Sequence, residues 1–452
     1  MLRNLVSDHR LSSLGSPEDL KNPNYLPPLA RAVPLGIQHV LAMFVANITP
    51  AFIIAQVAGF SGAELVQLLQ MSMLFAGIAT LLQTIGIGPV GARLPIVQGT
   101  TFIFLPIILP IVSGQGTAAM AVITGGIIVG GVFHAIIGNF IGRLRPLFPP
   151  LVTGLVVLMI GLSLVRVGIQ YAAGGAAIAG TDDYGAVIGW AIALAVIAVT
   201  LTLSFFGRGM WSVASVLIGL LVGYALALAL GLVDFTAIEE ADWIVVPSPV
   251  PYGVEFTTVA VVGFCLMAFV SAIETVGDVS AITKSGANRE VTAPEVRGAV
   301  LADGIGTAVA GVFGALPNTS YSQNVGLVAL TRVMSRHVAT IGACVLILCG
   351  LIPKIGALIS TIPLQVLGGS VIIMFGMVAA AGISMLAEVN WNRRNMAILA
   401  TALSVGLGLQ LEPSALQHLP ELPKLLLTSG ILPAAFIAIG LNLVIPQELD
   451  RE

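Results

Sequence analysis

Long apolar runs, separated by short polar, Pro- or Gly-containing breaks, occupy almost the whole chain from residue 33 onward. A helix that crosses about 30 Å of hydrocarbon needs roughly 20 mainly apolar residues, and stretches of that kind recur end to end. Read between its breaks, the pattern predicts helical segments at 33–57, 63–86, 100–113, 116–141, 149–169, 184–206 and 211–233. An acidic loop at 234–256 follows. Seven more segments then lie at 257–281, 295–314, 322–333, 336–353, 363–387, 393–411 and 424–446. The third and tenth are short. The expected fold is an all-α polytopic membrane bundle of fourteen segments.

Composition sharpens this picture. The chain is 57% hydrophobic and 9% charged, with a mean hydropathy of +1.01, whereas soluble domains carry about 25% charged residues. The first residues stay polar through Asn22 and lack an apolar core followed by a small-residue cleavage site, so they read as a tail rather than a removable signal peptide. A net charge of −3 without a basic run gives no reason to expect nucleic acid as a partner. Cys265, Cys344 and Cys349 sit in apolar stretches without CxxC or Cys/His spacing, and are expected to be small buried hydrophobes rather than a disulfide or metal framework. No cofactor is implied.

Charge placement predicts orientation. With the N-terminus in the cytoplasm, the inner loops and flanks hold Arg93, Arg143, Arg145, Arg208, Lys284, Arg289, Arg297, Arg332, Arg336, Arg393 and Arg394. The tails add Arg3, Arg10, Lys21, Arg31 and Arg451, against Arg166, Lys354 and Lys424 outside. Sixteen cations against three fit the positive-inside rule, so both termini are expected in the cytoplasm of an inner-membrane protein.

Two segments are interrupted in the same way. Leu94-Pro95-Ile96-Val97-Gln98-Gly99-Thr100-Thr101-Phe102 precedes the short third segment, and Leu316-Pro317-Asn318-Thr319-Ser320-Tyr321-Ser322-Gln323-Asn324 the short tenth. Their prolines are 222 residues apart, nearly half the chain. Seven segments per half is an odd number, so the halves are expected in opposite orientation, as an inverted repeat. Paired interrupted segments point to a transport site, because irregular backbone at membrane depth survives only inside protein or along a cavity.

Ionisable groups within apolar spans are costly, by about 2.5–3.5 kcal/mol at the centre. Glu274 and Asp278 stand four residues apart on one face of the eighth segment, and Asp303 lies in the ninth. Asp278 and Asp303 are equally readable as hydrogen-bond partners for helix ends or hydroxyls. Gln38-His39, Asn47 and Thr49 place uncharged polarity in the first segment, where a single His is most often a packing residue; His134 and Asn139 read as structural. The tenth segment opens on Gln323-Asn324, two amides at a helix start. A Gln amide and a carboxylate on facing elements can pair with the planar C=O and N–H edge of a nucleobase. Phe102 and Tyr321 could sandwich its ring.

The run Gln323 to Arg332 matches Q/E/P-N-x-G-x-x-x-x-T-R/K/G, and so resembles the nucleobase–ascorbate transporter family. Gln38-His39, Glu274-x-x-Gly277-Asp278 and Asp303-Gly304 also look like that family's motifs, in order along the whole chain. The resemblance implies two inverted repeats of seven segments, with short antiparallel strands and half-helices at segments 3 and 10. After a tail at 1–32, a core domain would comprise 33–145 and 257–356, and a gate domain 146–256 and 357–447, leaving a tail at 448–452. It further implies a homodimer working as an elevator, with protons rather than sodium as the coupling ion. Glu274 and Gln323 would hold the base, Phe102 and Ser322 would add backbone contacts, and Tyr321 would stack. Asn324, Asp303 and His39 would support the site, with Asp278 tuning it or coupling protons. Gln at the first motif position resembles xanthine and uric acid carriers; Glu is usual in uracil carriers and Pro in ascorbate carriers. Asp278 departs from the His found there in uracil carriers, which leaves the coupling residue open. The expected function is thus proton-coupled symport of xanthine or uric acid. The alternatives are uracil transport, a sulfate-type anion exchanger sharing the fold and, from another class, a membrane-embedded enzyme, for which no catalytic motif is present.

Overall fold

Helix boundaries fall where the apolar pattern breaks, and the local chemistry there is legible. In the computed structural model, which describes residues 15–113 and 115–446, α1 (Leu29–Ala58) ends on Gly59 at φ +70. Ser61 and Glu64 form a reciprocal cap that starts α2 (Gly62–Ile85). There follow β1 (Gln98–Thr100), α3 (Leu105–Val112), α4 (Met120–Leu144), α5 (Pro150–Ala172), α6 (Val187–Phe206) and α7 (Ser215–Ala229). The second half holds α8 (Thr258–Ala287), α9 (Ala293–Val312), β2 (Asn318–Ser320), α10 (Ser322–Thr331) and α11 (Arg336–Leu351). Then come α12 (Leu364–Leu386), α13 (Arg393–Leu411) and α14 (Ile431–Val444). Arg3, Arg10 and Arg451, with both ends of the chain, lie outside the described residues.

Among the described residues, seven helices are long and apolar enough to cross a membrane, or nine if two bent pairs each count as one span. The chain is therefore an α-helical, multi-span membrane protein. Several expected segments differ in detail. The third, expected at 100–113, opens as a strand and becomes a helix only at Leu105. The seventh, expected at 211–233, is split into Met210–Val213 and α7. α11 turns by 82° into Pro353–Ser360, and Glu421–Thr428 turns by 80° into α14. Pro353, which lacks the N–H an α-helix needs, marks the first bend. Gly430, at φ +73, marks the second. Cys344 is exposed rather than buried, and Cys265 and Cys349 are half-buried. In a bilayer an apolar residue gains as much from facing lipid as from facing protein, so hydropathy alone cannot assign the inside.

The helices pack in two interlocking sets. α4 lies along α9, α2 along α11, and α1 and α8 pack against α11 and α4 respectively. Elsewhere α5 lies along α12, α6 along α7 and α12, and α13 along α14. Without a hydrophobic drive between helices in lipid, close approach depends on small residues. A Cβ on Gly304 would sit 2.2 Å from the Ala135 backbone nitrogen, and one on Gly131 would sit 2.4 Å from that of Ala308. The α4–α9 crossing therefore has no room for side chains at these two positions. Gly304→Leu should prevent this crossing, at a cost above the roughly 1–3 kcal/mol of ordinary overpacking. The expected readout is loss of monodisperse protein in size-exclusion chromatography and a lower thermal midpoint.

Candidate functional site

The two interrupted segments meet at the centre of the first set. β1 and β2 pair antiparallel, with Gln98 opposite Ser320, Gly99 opposite Thr319 and Thr100 opposite Asn318. Both strands are fully buried. A three-residue ribbon leaves backbone groups unpaired along its edges, and side chains from the surrounding helices complete it. Asn47 of α1 accepts hydrogen bonds from the Thr100 N–H at 2.8 Å and from its hydroxyl at 3.2 Å. The Gln98 N–H donates to Thr80 of α2 at 2.9 Å, and the Asn318 N–H to Thr307 of α9 at 3.0 Å. Tyr321 donates its hydroxyl to the Thr100 carbonyl at 2.6 Å. Gly99 is required beneath that ring, because a Cβ there would lie 2.1 Å from Tyr321 Cε2 and 2.7 Å from Asn47 Oδ1.

Three carboxylates surround the ribbon with unequal partners. Asp303 of α9 accepts from Gln83 Nε2 at 2.7 Å, from Gln98 Nε2 at 2.6 Å and from the Thr275 hydroxyl. Asp278 of α8 accepts from Ser320 at 2.9 Å and from Ser322 at 2.7 Å, tying α8 to the end of β2 and the start of α10. Glu274, one turn earlier on α8, accepts from Thr319 at 3.1 Å. Asn324 is buried and donates to His39 Nδ1 at 2.9 Å and to the His39 carbonyl at 3.1 Å, fastening α10 to α1.

Beside this cluster lies a cavity of about 330 Å³, within the usual range of roughly 300–1,000 Å³ for small-molecule sites. Ser322, Gln323 and Gly326 of α10 form one wall, with Leu41 to Ala46 of α1 nearby. Ser212 and Ser215 close it near α7, and Met374 and Met377 close it from α12. Of the anticipated residues, Gln323 and Ser322 face this space, while Glu274 does not line it; the connection between them runs through Ser322 and Asp278. Phe102 packs edge-on against Phe375 of α12, with ring centroids 5.2 Å apart, next in sequence to Met374 of the cavity wall. Tyr321 is engaged with Thr100 rather than free at the cavity. His134 is buried, and Asn139 accepts from Arg297 at 2.7 Å.

Sequence reasoning passed over Gln83 and Gln98, the amides on Asp303, and the hydroxyls of Thr275, Thr319 and Ser320. A usable signal existed for Gln83: an amide in an otherwise apolar helix requires a buried partner as surely as a carboxylate does.

A bundle built around paired, interrupted segments that carry acids and amides at its centre is the architecture of a membrane transporter. Residues 30–414 match the profile of the Permease family, and the chain belongs to the xanthine/uracil permease family. The xanthine permease XanP of Escherichia coli K12 is 36% identical over 437 residues, 93% of each chain. The uric acid transporter UacT of the same strain is 36% identical over 412 residues, covering 90% of this chain and 84% of its own. In fold, the transmembrane domain of the cyanobacterial bicarbonate transporter BicA superposes with a TM-score of 0.56 at 14% identity, over 92% of this chain and 97% of that one. The chain is thus a permease-family transporter and not an enzyme.

Asp303→Asn should destabilise the site, because it turns one of the acceptors facing Gln83, Gln98 and Thr275 into a donor. The expected cost is about 1–3 kcal/mol for the buried groups left unpaired. Thermal unfolding of the purified variant checks this, and a midpoint equal to that of the unmodified protein would show that the three donors do not need the carboxylate.

Proposed function

We propose that this chain is a proton-coupled symporter of a purine base, xanthine or uric acid, working across the inner membrane as an elevator. The observation that carries the reading is the tie from Asp278 on α8 to Ser320 and Ser322, which sets the acidic face of that helix beside the wall where Gln323 meets the cavity. A planar amide and nearby carboxylates are complementary to the alternating donors and acceptors of an oxidised purine edge. The names of the two Escherichia coli relatives favour the same substrates, and Gln323 agrees with them where uracil carriers have Glu. The likeness to a bicarbonate transporter concerns the fold alone and carries no substrate.

The packing supports two inverted repeats, α1–α7 and α8–α14, and with them fourteen segments. Advancing each helix by seven turns the α4–α9 contact into α11–α2, α8–α4 into α1–α11, and α7–α6 into α14–α13. α5–α12 maps onto itself. The same grouping supports a core of α1–α4 with α8–α11 and a gate of α5–α7 with α12–α14. Arg93, Arg289, Arg297 and Arg336 gather at one end of the bundle, which favours that end, and both termini, on the cytoplasmic side. Dimerisation belongs to the same reading.

In the proposed cycle a carboxylate of the α8 cluster takes up a proton while the site faces outward, so that no uncompensated charge crosses the membrane. Glu274 holds the base together with Gln323. Asp278 positions α10, and Asp303 fixes α9, α2 and β1 as one body.

Uptake of labelled xanthine and urate into proteoliposomes tests the reading. The unmodified protein should accumulate one or both when the outside is acidic and lose the accumulation when the gradient is collapsed. Glu274→Gln should lower uptake about 10- to 100-fold, the value of a charge-assisted hydrogen bond, while the protein stays folded in the membrane. Uptake by that variant at the original rate would remove Glu274 from the site, and indifference to protons would remove the coupling. Excess bicarbonate should leave purine uptake unchanged.

A further inference from the structure

A cavity larger than the central one lies away from the candidate substrate site. It is a cleft of about 860 Å³ at the end of the bundle where α2 and α4 finish and α9 and α11 begin. Four arginines border it: Arg93, Arg289, Arg297 and Arg336. The carboxylate that borders it, Glu295, is occupied by Arg289, with one contact at 2.9 Å, and by the cap of α9. The other three face neutral oxygens. Arg93 donates to the Gly88 carbonyl at 3.3 Å, Arg297 to Asn139 at 2.7 Å, and Arg336 to the Thr84 carbonyl at 2.8 Å. Arg336 Nε is buried without a partner. Three guanidinium groups around one open space, with no free acid among the described residues that line it, create a site for a multiply charged anion.

The surroundings say which kind. The cleft lies at the ends of spanning helices, the level at which headgroups lie. Ile85, which borders the cleft, and Ile87 two residues further on are both exposed. These apolar side chains beside the cleft offer a seat for acyl chains next to a bound phosphate. We propose that this cleft binds the phosphate headgroup of an anionic phospholipid, with its chains passing beside Ile85 and Ile87. Such binding clamps α2, α4, α9 and α11 together at one end, and two of these helices, α2 and α9, also hold the β1–β2 ribbon.

Binding of a fluorescent cardiolipin to the purified full chain in neutral detergent tests this, with phosphatidylcholine, ATP and inorganic pyrophosphate as separate arms. The expected result is saturable binding of cardiolipin in preference to phosphatidylcholine, and a rise in thermal midpoint with the anionic lipid alone. Arg93→Gln with Arg297→Gln should weaken binding roughly ten-fold or more, whereas Lys at both positions should keep most of it and Arg208→Gln should change nothing. Should the paired Gln variant not fold, Gly142→Glu serves instead. A Cβ at Gly142, on the cleft wall, meets no atom within 4 Å, so a side chain starts there without a clash and its carboxylate should repel the headgroup. Equal binding of phosphatidylcholine, or unchanged binding by these variants, would overturn the proposal. Displacement of the lipid by ATP or pyrophosphate, with tight binding of either alone, would overturn it in favour of a free polyphosphate.

Discussion

A two-stranded ribbon inside a membrane protein creates edges, and hydrocarbon offers nothing to pair with them. Meeting that constraint organises the rest of the centre. The N–H groups of Gln98, Thr100 and Asn318 point outward from the ribbon and are taken by Thr80, Asn47 and Thr307, one each from α2, α1 and α9. Those three helices are therefore fixed to the ribbon by hydrogen bonds as well as by packing. Gly99 leaves space for the Tyr321 ring, whose hydroxyl satisfies the Thr100 carbonyl. The ribbon and its helices are held together because each unpaired backbone group would otherwise cost about 1–3 kcal/mol.

The same body sorts the acids by how much of each remains unused. Asp303 receives three donors and holds β1, α2 and α8 together. Asp278 receives two hydroxyls, both from the segment that leads from β2 into α10. Glu274 receives one, from Thr319, although an ionised carboxylate has about four acceptor positions. Spare acceptor capacity in an apolar setting is expensive unless something fills it for part of a cycle. That gradient, from three donors to one, agrees with the proposed roles, in which Asp303 and Asp278 build the site and Glu274 binds.

Much of this was legible in the sequence, for reasons that can be named. Long apolar runs located the helices, since lipid tolerates little else, and the matched Pro-containing breaks at Pro95 and Pro317 marked the interruptions, where the family resemblance implied the strands. Asp278 and Asp303 were readable as hydrogen-bond partners, and that is how their side chains are engaged. Three things were hidden. The bend at Gly430 leaves hydropathy unchanged, so Glu421–Thr428 and α14 looked like one straight span, and the short helix Pro353–Ser360 beyond the bend in the other pair was passed over as a break. Cys344 looked buried because lipid and protein interior select the same residues. Gln83 went unnoticed because an uncharged amide stands out less than a carboxylate, although its partner, Asp303, is 220 residues away.

The walls of the central cavity come from both sets of helices. Ser322, Gln323 and the inner face of α1 belong to the body built on the ribbon, while Met374 and Met377 belong to α12, which packs with α5 and α6. A ligand between them touches two bodies that meet along α1 and α8. Ser322 and Gln323 are the polar groups on the ribbon side; the α12 face is thioether and aliphatic, with the hydroxyls of Ser204, Ser212 and Ser215 beside it. An apolar wall can slide past a ligand at low cost, because each dispersion contact is weak and easily replaced, whereas a hydrogen-bonded wall must carry its ligand along. In the proposed elevator the purine therefore moves with Gln323 and the α8 acids, and α12 serves as the surface they cross. Polar groups added to α12 at Met374 or Met377 would give the gate a hold of its own on the ligand, and by this reasoning would slow transport even if they tightened binding.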